Sequence, residues 1–302
     1  MLAFTWTEFF QQVVSGLASG GVYASLALAL VLIYRSTRVV NFAQGEMATF
    51  TTFIAWSLTH HGLTKWVAFP LTLLIAFLGG VLLQRVVIRP VQDAPVLTVV
   101  ILTIGLLILL NGLSGWIWGG EARSFPSMFS TRPIRIAGVA FSIQDIGVIA
   151  VTLGAVIVLS FFFRFTRVGL AMRAAALNPE SSPLVGIRVG WMLALGWGLA
   201  AALGALSGIL IAPSVFLDPN MMQGVLLYAF AAAVLGGLDS PVGAVVGGLA
   251  LGVFLNLAGT YGKNVIGLDL SDLRLAVGLS VILAVLLVKP TGLFGRTVAR
   301  RV

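Results

Sequence analysis

Residues 96–118 read VLTVVILTIGLLILLNGLSGWIW, a stretch that contains no charged side chain. A helix of about 20 residues crosses the hydrocarbon core of a bilayer, because each residue advances the helix by about 1.5 Å. A membrane β-strand would alternate polar and apolar side chains, and this stretch is apolar almost throughout. It therefore predicts a transmembrane helix.

The same kind of apolar run recurs along the whole chain. Hydrophobic residues make up 59% of the 302 residues and charged residues only 9%, where a soluble domain carries about 25% charge. The other runs long enough to cross a bilayer lie at 9–34, 66–84, 142–163, 191–213 and 273–288, and shorter or glycine-broken runs lie at 47–59, 223–238 and 242–258. We predict an all-α, polytopic membrane protein in which residues 1–302 form a single transmembrane domain of about eight or nine elements.

Glycine is abundant in this chain, with 35 residues. Small residues four positions apart let membrane helices approach each other closely. Such pairs occur at Gly16/Gly20, Gly204/Gly208 and Gly243/Gly247. We interpret them as helix-packing contacts.

The basic residues indicate how the chain crosses the membrane. The net charge of +8 fits membrane topology better than nucleic-acid binding in so apolar a chain, because cytoplasmic loops are enriched in Lys and Arg. With the N-terminus outside and 223–258 entering and leaving on one side, 12 of the 18 basic residues face the cytoplasm: 35, 38, 85, 89, 164, 167, 173, 188, 289, 296, 300 and 301. This orientation places residues 165–190 and the C-terminus in the cytoplasm.

Two pairs of apolar runs are interrupted by a polar or glycine-rich turn, YRSTRVVNFAQGEM at 34–47 and VLGGLDSPVGAVVGG at 234–248. Transporters commonly bind cargo at such broken helices, because helix ends offer unpaired N–H and C=O groups. Their places in the early and late halves suggest a weak internal repeat. The alternative is that both are ordinary loops whose polar residues meet water.

Local signals predict where the helices at these breaks end and begin. Asn41 is a candidate cap for a short helix starting at Phe42, with Glu46 near the positive end of the helix dipole. In the second break, Gly236-Gly237 predicts a helix end. Asp239 or Ser240 then caps the next helix, with Pro241 in its first turn.

The cytoplasmic segment 165–190 has its own helical signals. GLAMRAAAL, 169–177, contains strong helix formers but is too short to span. Asn178-Pro179-Glu180 is a helix-start signal, and Ser182-Pro183 is a second one. The pattern predicts a short helix, a break and a second short helix. Such a segment either docks on another protein, with Arg167 and Arg173 pairing with acids, or lies on anionic lipid.

Five stretches, in order, resemble the permease subunits of bacterial ABC importers for branched-chain amino acids, and specifically the smaller of the two paired permeases. They are YRSTRVVNFAQGEM (34–47), RPVQDAPVLTVVILTIG (89–105), TRVGLAMRAAALNPESSPLVGI (166–187), AFAAAVLGGLDSPVGAVVGGLALG (229–252) and KPTGLFGR (289–296). The resemblance covers essentially the whole chain.

The resemblance implies a location in the bacterial cytoplasmic (inner) membrane and a set of partners besides the membrane lipid. These are a second homologous permease forming a heterodimer, two cytoplasmic ATP-binding subunits and an external substrate-binding protein. It also implies that residues 165–190 couple the permease to the ATP-binding subunits. The residues carried over for coupling are Arg173, Ala175, Asn178, Pro179 and Gly186.

For the translocation path, the residues that match the family's patterns are Asn41, Phe42, Gly45, Gly236, Gly237 and Gly243. The chain departs from the pattern at Ser181, Ser182 and Pro183, where relatives commonly carry alanines, so the start of the second coupling helix stays open. The implied cargo is a branched-chain amino acid. Other amino acids, urea or short amides are the alternative, because selection in this family lies largely with the external binding protein.

The sequence predicts no catalytic site, metal site or cofactor. A phosphate-binding loop needs GxxxxGK[ST], and none of Lys65, Lys263 and Lys289 lies in one. The chain has no cysteine, and the adjacent His60 and His61 would point about 100° apart on a helix. An intramembrane metalloenzyme is therefore disfavoured.

A stand-alone ion-coupled carrier would need a buried carboxylate in mid-span, and Asp239 is its one attractive candidate.

Overall fold

The computed structural model describes residues 5–92, 94–136, 139–266 and 273–295. In chain order the α-helices are α1 (Trp6–Thr37), α2 (Gln44–His60), α3 (Lys65–Leu83), α4 (Val96–Trp118), α5 (Ile143–Phe165), α6 (Arg167–Leu177), α7 (Val189–Val215), α8 (Met221–Gly236), α9 (Pro241–Ile266) and α10 (Arg274–Val288). A π-helical turn (Gln84–Ile88) and a 3-10 turn (Arg89–Val91) extend α3.

Six of the described helices, α1, α3, α4, α5, α7 and α9, are long and apolar enough to cross a membrane. The prediction of an all-α, polytopic membrane protein is confirmed. One assignment was wrong, because the sixth long helix is α9 and not the run at 273–288. The glycines of α9 contact neighbouring backbone and do not end the helix, whereas α10 contains only 15 residues.

A small β-hairpin interrupts the helices. Strands β1 (Pro133–Ile136) and β2 (Val139–Ser142) pair antiparallel, with Ile134 opposite Phe141. The sequence pattern did not predict these two strands. Asp145, in the first turn of α5, accepts a hydrogen bond from the Ser142 backbone N–H at 3.1 Å, and the Ser142 hydroxyl accepts one from the Asp145 N–H at 3.0 Å. This reciprocal pair of bonds fixes the step from the hairpin into α5.

The chain divides into two compact units. Unit 1 comprises 1–28, 127–153 and 224–302, and unit 2 comprises 29–126 and 154–223. The single transmembrane domain expected from the sequence stays a prediction.

In unit 1, α1 and α9 meet through glycines. A Cβ added at Gly20 would lie 2.8 Å from the Gly248 carbonyl oxygen, and a Cβ added at Gly252 would overlap the Gly20 backbone. The two backbones are therefore in direct contact, as predicted for the Gly16/Gly20 pair.

In unit 2, α7 is mostly buried and packs on α2, α3 and α6. Gly204 and Gly208 again face a neighbouring helix, since Cβ atoms there would crowd Gln44 and Thr52 of α2. Trp118, the last residue of α4, donates its indole N–H to the Ser57 hydroxyl of α2 at 2.7 Å. Close packing along α7 thus positions the first helix break.

Candidate translocation path and coupling segment

The first break lies between Thr37 and Gln44 and is ordered by Asn41. The Asn41 side-chain oxygen accepts a hydrogen bond from the Ala43 N–H at 3.1 Å, and its amide donates to Gln44 Oε1 at 3.2 Å. Because this oxygen bonds two residues ahead, it closes a turn, and α2 begins at Gln44. The prediction of a helix starting at Phe42 was therefore two residues early.

The break is buried within unit 2. Asn41 is 1% exposed, and Gln44 is fully buried and donates its amide to the Ala200 carbonyl of α7 at 2.9 Å. Gly45 is buried as well, whereas Phe42 is 38% exposed. The break is thus a fixed part of the packed unit.

A buried carboxylate follows the break. Glu46 is 2% exposed and accepts a hydrogen bond from the Asn111 amide of α4 at 3.3 Å. The same Asn111 nitrogen lies 3.0 Å from both the Pro219 carbonyl and Asn220 Oδ1. Since the amide has two hydrogens for three acceptors, these bonds are shared. Among the described residues, Glu46 forms no ion pair with Lys, Arg or His.

Sequence reasoning missed Asn111 and Asn220. The available signal was Asn111 itself, because it is the one amide side chain in the apolar run 96–118. Nothing in the local pattern, however, pairs it with Glu46, which lies 65 positions earlier.

The second break lies in unit 1, between Gly236 and Pro241. Gly237 has φ of +101°, a backbone conformation that favours glycine, and it ends α8. The Ser240 hydroxyl accepts a hydrogen bond from the Gly243 N–H at 3.0 Å, so Ser240 caps α9 and Pro241 is its first residue. The predicted helix end and cap are both confirmed.

The glycines of the second break are covered by backbone. A Cβ at Gly236 would overlap the Gly243 carbonyl, a Cβ at Gly243 would overlap the Gly236 carbonyl, and one at Gly237 would lie 2.8 Å from the Gly295 nitrogen. These close approaches explain why glycine is needed there.

The stretch 289–295 is hydrogen-bonded to the end of α8. The Leu293 and Phe294 N–H groups donate to the carbonyls of Leu235 and Gly236 at 2.8 and 3.0 Å. They thereby satisfy two of the orphan carbonyls that a helix C-terminus leaves.

The coupling segment contains the short helix, break and short helix that the sequence predicted. Helix α6 is capped by Thr166, whose hydroxyl accepts from the Gly169 N–H at 2.9 Å. Asn178 Oδ1 then accepts from the Ser181 N–H at 3.1 Å, so Asn178-Pro179 forms the turn between the helices. The second helix is a 3-10 turn, Ser182–Val185, and it begins at the predicted Ser182-Pro183 signal.

The five predicted coupling residues do not share one face. Ala175 is 2% exposed within unit 2, and the Arg173 Nε is buried without a hydrogen-bond partner. Asn178, Pro179 and Gly186 are exposed. The apolar side chains that do face outward were missed from the sequence: Leu177, Leu184 and Val185 are 79%, 86% and 76% exposed.

His60 and His61 lie at the end of α2, and Asp239 lies between α8 and α9. The His60 ring stacks on Trp56, and a His61 ring nitrogen lies 2.7 Å from the Ser57 carbonyl oxygen. Asp239 is exposed in the second break. The described ranges contain no cluster of three or more His, Asp or Glu side chains able to hold a metal ion.

The path residues divide between the two units. Unit 2 contains Asn41, Phe42, Gly45 and all five predicted coupling residues. Unit 1 contains Gly236, Gly237 and Gly243.

Comparison with known proteins supplies the family. Residues 12–288 match the family described as the permease component of branched-chain amino acid transport systems. The high-affinity branched-chain amino acid transport system permease protein LivH of Salmonella typhimurium is 31% identical over 97% of this chain and 98% of its own length. The corresponding protein BraD of Pseudomonas aeruginosa is 30% identical over 98% of both chains. Among solved structures, PsaBC from Streptococcus pneumoniae in complex with Fab superposes with a TM-score of 0.49 and 12% identity, over 94% of this chain and 92% of that one. The chain therefore belongs to the family of permease components of branched-chain amino acid transport systems.

Proposed function

We propose that this chain is the membrane-spanning permease subunit of an ABC importer that carries leucine, isoleucine and valine across the cytoplasmic membrane of a bacterium. The observation that carries the proposal is the family match over 12–288, together with relatives of the same length that are named for this cargo. The six long apolar helices are consistent with such a path through a membrane.

The energy comes from partner chains, because no lysine of this chain lies in a phosphate-binding loop. Two ATP-binding subunits bind on the cytoplasmic side, a second homologous permease completes the path, and a binding protein delivers cargo from outside. The N-terminus lies outside and the C-terminus in the cytoplasm, as the distribution of basic residues favours.

Residues 165–190 transmit the movement of the ATP-binding subunits. Support comes from the exposure of Leu177, Leu184 and Val185 on a segment that lies outside the long apolar helices. Large apolar side chains exposed together mark an interaction surface. Asn178, Pro179 and Gly186 shape the turn that presents them, while Ala175 and Arg173 hold α6 within unit 2.

Cargo passes along the first helix break. A zwitterionic amino acid carries an ammonium group, and the Glu46 carboxyl group is buried without a basic partner among the described residues. Asn41 and Gly45 hold the backbone beside it, and the exposed Phe42 ring offers an apolar surface to the aliphatic side chain. Gly236, Gly237 and Gly243 serve the path by fixing the shape of the second break.

The test is to tag the C-terminus, purify the chain gently from its native membrane and identify the co-purifying proteins by mass spectrometry. We expect a second permease and two ATP-binding subunits, and ATP-dependent leucine uptake when this complex and its binding protein are reconstituted. Uptake of urea or a short amide in place of leucine would overturn the cargo only. A chain that purifies alone and moves solute without ATP would overturn the importer, and Asp239 would be tested for ion coupling.

A further inference from the structure

Three arginines converge where α7 begins. The Arg85 guanidinium carbon lies 3.3 Å from the centre of the Trp191 ring. Arg89 Nε lies 3.9 Å from the position that a Cβ on Gly190 would occupy. Arg188 is the residue immediately before α7. The π-helical and 3-10 turns after α3 supply two of the three charges, and the start of α7 supplies the third.

Among the described residues, no carboxylate pairs with these three charges. Within the described part of the chain, the guanidinium groups of these three arginines form no ion pair and donate no hydrogen bond. Arg89 and Arg188 are exposed and Arg85 is half-buried. An arginine stacked on an aromatic ring keeps its N–H edge available for an anion. Because these guanidinium groups have no carboxylate partner among the described residues, an anion bound beside them would be stabilised.

An open apolar groove of about 490 Å³ adjoins Arg188 and Trp191. It is lined by Ala171, Ile187, Arg188, Trp191, Met192 and Leu195. Trp191 is 44% exposed, and tryptophan is enriched at the boundary between lipid and water. The groove is therefore bordered by Arg188 and by the Trp191 ring on which Arg85 stacks, and its apolar lining continues along α7.

We propose that this groove binds an anionic phospholipid of the cytoplasmic leaflet. Arg85, Arg89 and Arg188 hold the phosphate, and an acyl chain lies on Met192 and Leu195. Basic residues at this level attract anionic headgroups. A lipid is favoured over an acidic protein surface because the floor is apolar and leads into a membrane-crossing helix.

The lipid would also contact the coupling segment, because the groove is shared between α7, α6 and the end of the 3-10 turn Ser182–Val185. Ala171 belongs to α6, and Gly186 follows the second short helix. A bound lipid would therefore steady α6 against α7. The proposal rests on the cytoplasmic orientation proposed above. Lipid binding is measured without transport, so a failure of the lipid proposal can be told apart from a failure of the proposed importer function.

The experiment uses the full complex, purified in mild detergent and offered phosphatidylglycerol or phosphatidylcholine before native mass spectrometry. The variant is Arg85→Gln with Arg188→Gln, and the matched control is Arg132→Gln, an exposed arginine next to the hairpin. We expect retained phosphatidylglycerol to fall roughly tenfold in the double variant and to stay unchanged in the control. Inorganic phosphate should not displace the lipid.

Equal retention of phosphatidylglycerol by the double variant would overturn the proposal. So would loss of the ATP-binding subunits with lipid retention unchanged, because that result assigns the arginines to a protein contact. Should the double variant fail to fold, Arg188→Gln alone removes an exposed side chain, and the same lipid measurement decides. Arg85→Lys with Arg188→Lys should keep most of the binding, since the charge is preserved.

Discussion

The Asn111 amide of α4 donates a hydrogen bond to the Glu46 carboxylate of α2 over 3.3 Å, and it reaches the Pro219 carbonyl and Asn220 Oδ1 at 3.0 Å. Three separate stretches of unit 2 therefore meet at one buried carboxyl group. Burying an unpaired charge costs several kcal/mol. A carboxylate retained in such a place is by default a functional group.

Replacing Glu46 with glutamine tests its role in transport. The amide keeps the size of the side chain and an acceptor for Asn111, but it removes the charge. Loss of a hydrogen bond to a charged group is worth about 1.5–3 kcal/mol, so we expect ATP-dependent leucine uptake in proteoliposomes to fall roughly tenfold or more. Co-purification of the partner subunits should be unchanged.

The control is Glu121→Gln, which removes an exposed carboxylate of the same unit and should leave uptake unchanged. Wild-type uptake by Glu46→Gln would show that the carboxylate does not contact the ammonium group of the cargo. Loss of assembly in the variant would instead indicate a purely structural hydrogen bond.

The coupling surface is tested with Leu177→Glu and Leu184→Glu together. Both side chains are almost fully exposed, so the substitutions should leave the fold of this chain intact. Covering two leucines stabilises a complex by about 1.5–3 kcal/mol each, and burying glutamates there is unfavourable. We expect the ATP-binding subunits to be lost from the purified complex, as quantified by mass spectrometry.

Ile134→Glu in the hairpin is the matched control, because Ile134 is a 37% exposed apolar side chain elsewhere. It should keep the ATP-binding subunits. Retention of those subunits by the Leu177/Leu184 variant would place the coupling contact on another surface.

The membrane helices could be predicted from the sequence because length and apolar composition are local properties. The second break could be predicted for the same reason, since Ser240 and Pro241 act within one turn of helix. The long α9 could not, because its glycines weaken an isolated helix and are accommodated by contacts with α1 and α8. The glycine spacing indicates close packing but does not show which helix is the partner.

The functional side chains show the same division. The polar breaks and the short helix within 165–190 are visible in the sequence, but the direction in which a side chain points depends on its neighbours. Ala175 faces into unit 2 because α6 packs on α7, whereas Leu184, in the 3-10 turn Ser182–Val185, is exposed. The Glu46–Asn111 contact likewise requires the packing of α2 on α4.

The close glycine contact between α1 and α9 predicts that a side chain added there lowers the stability of the protein. A Cβ at Gly252 would overlap the backbone of Gly20, and overpacking of this kind costs about 1–3 kcal/mol. We expect Gly252→Ala to lower the melting temperature of the purified chain in detergent. Gly105→Ala is the control, since a Cβ there meets no atom within 4 Å and alanine favours helix. A melting temperature that Gly252→Ala leaves unchanged would contradict close contact of the helices.

The hydrogen bonds between 289–295 and the end of α8 should support the second break. Phe294→Pro removes the N–H that donates to the Gly236 carbonyl at 3.0 Å, whereas Phe294→Ala keeps it and removes the ring. A lost hydrogen bond to a buried carbonyl costs about 1–3 kcal/mol. Since Gly237 packs on the same stretch, the second break would lose its support. We expect the proline variant to lower both the melting temperature and leucine uptake more than the alanine variant does. Equal effects would show that the ring, and not the backbone bond, holds the break.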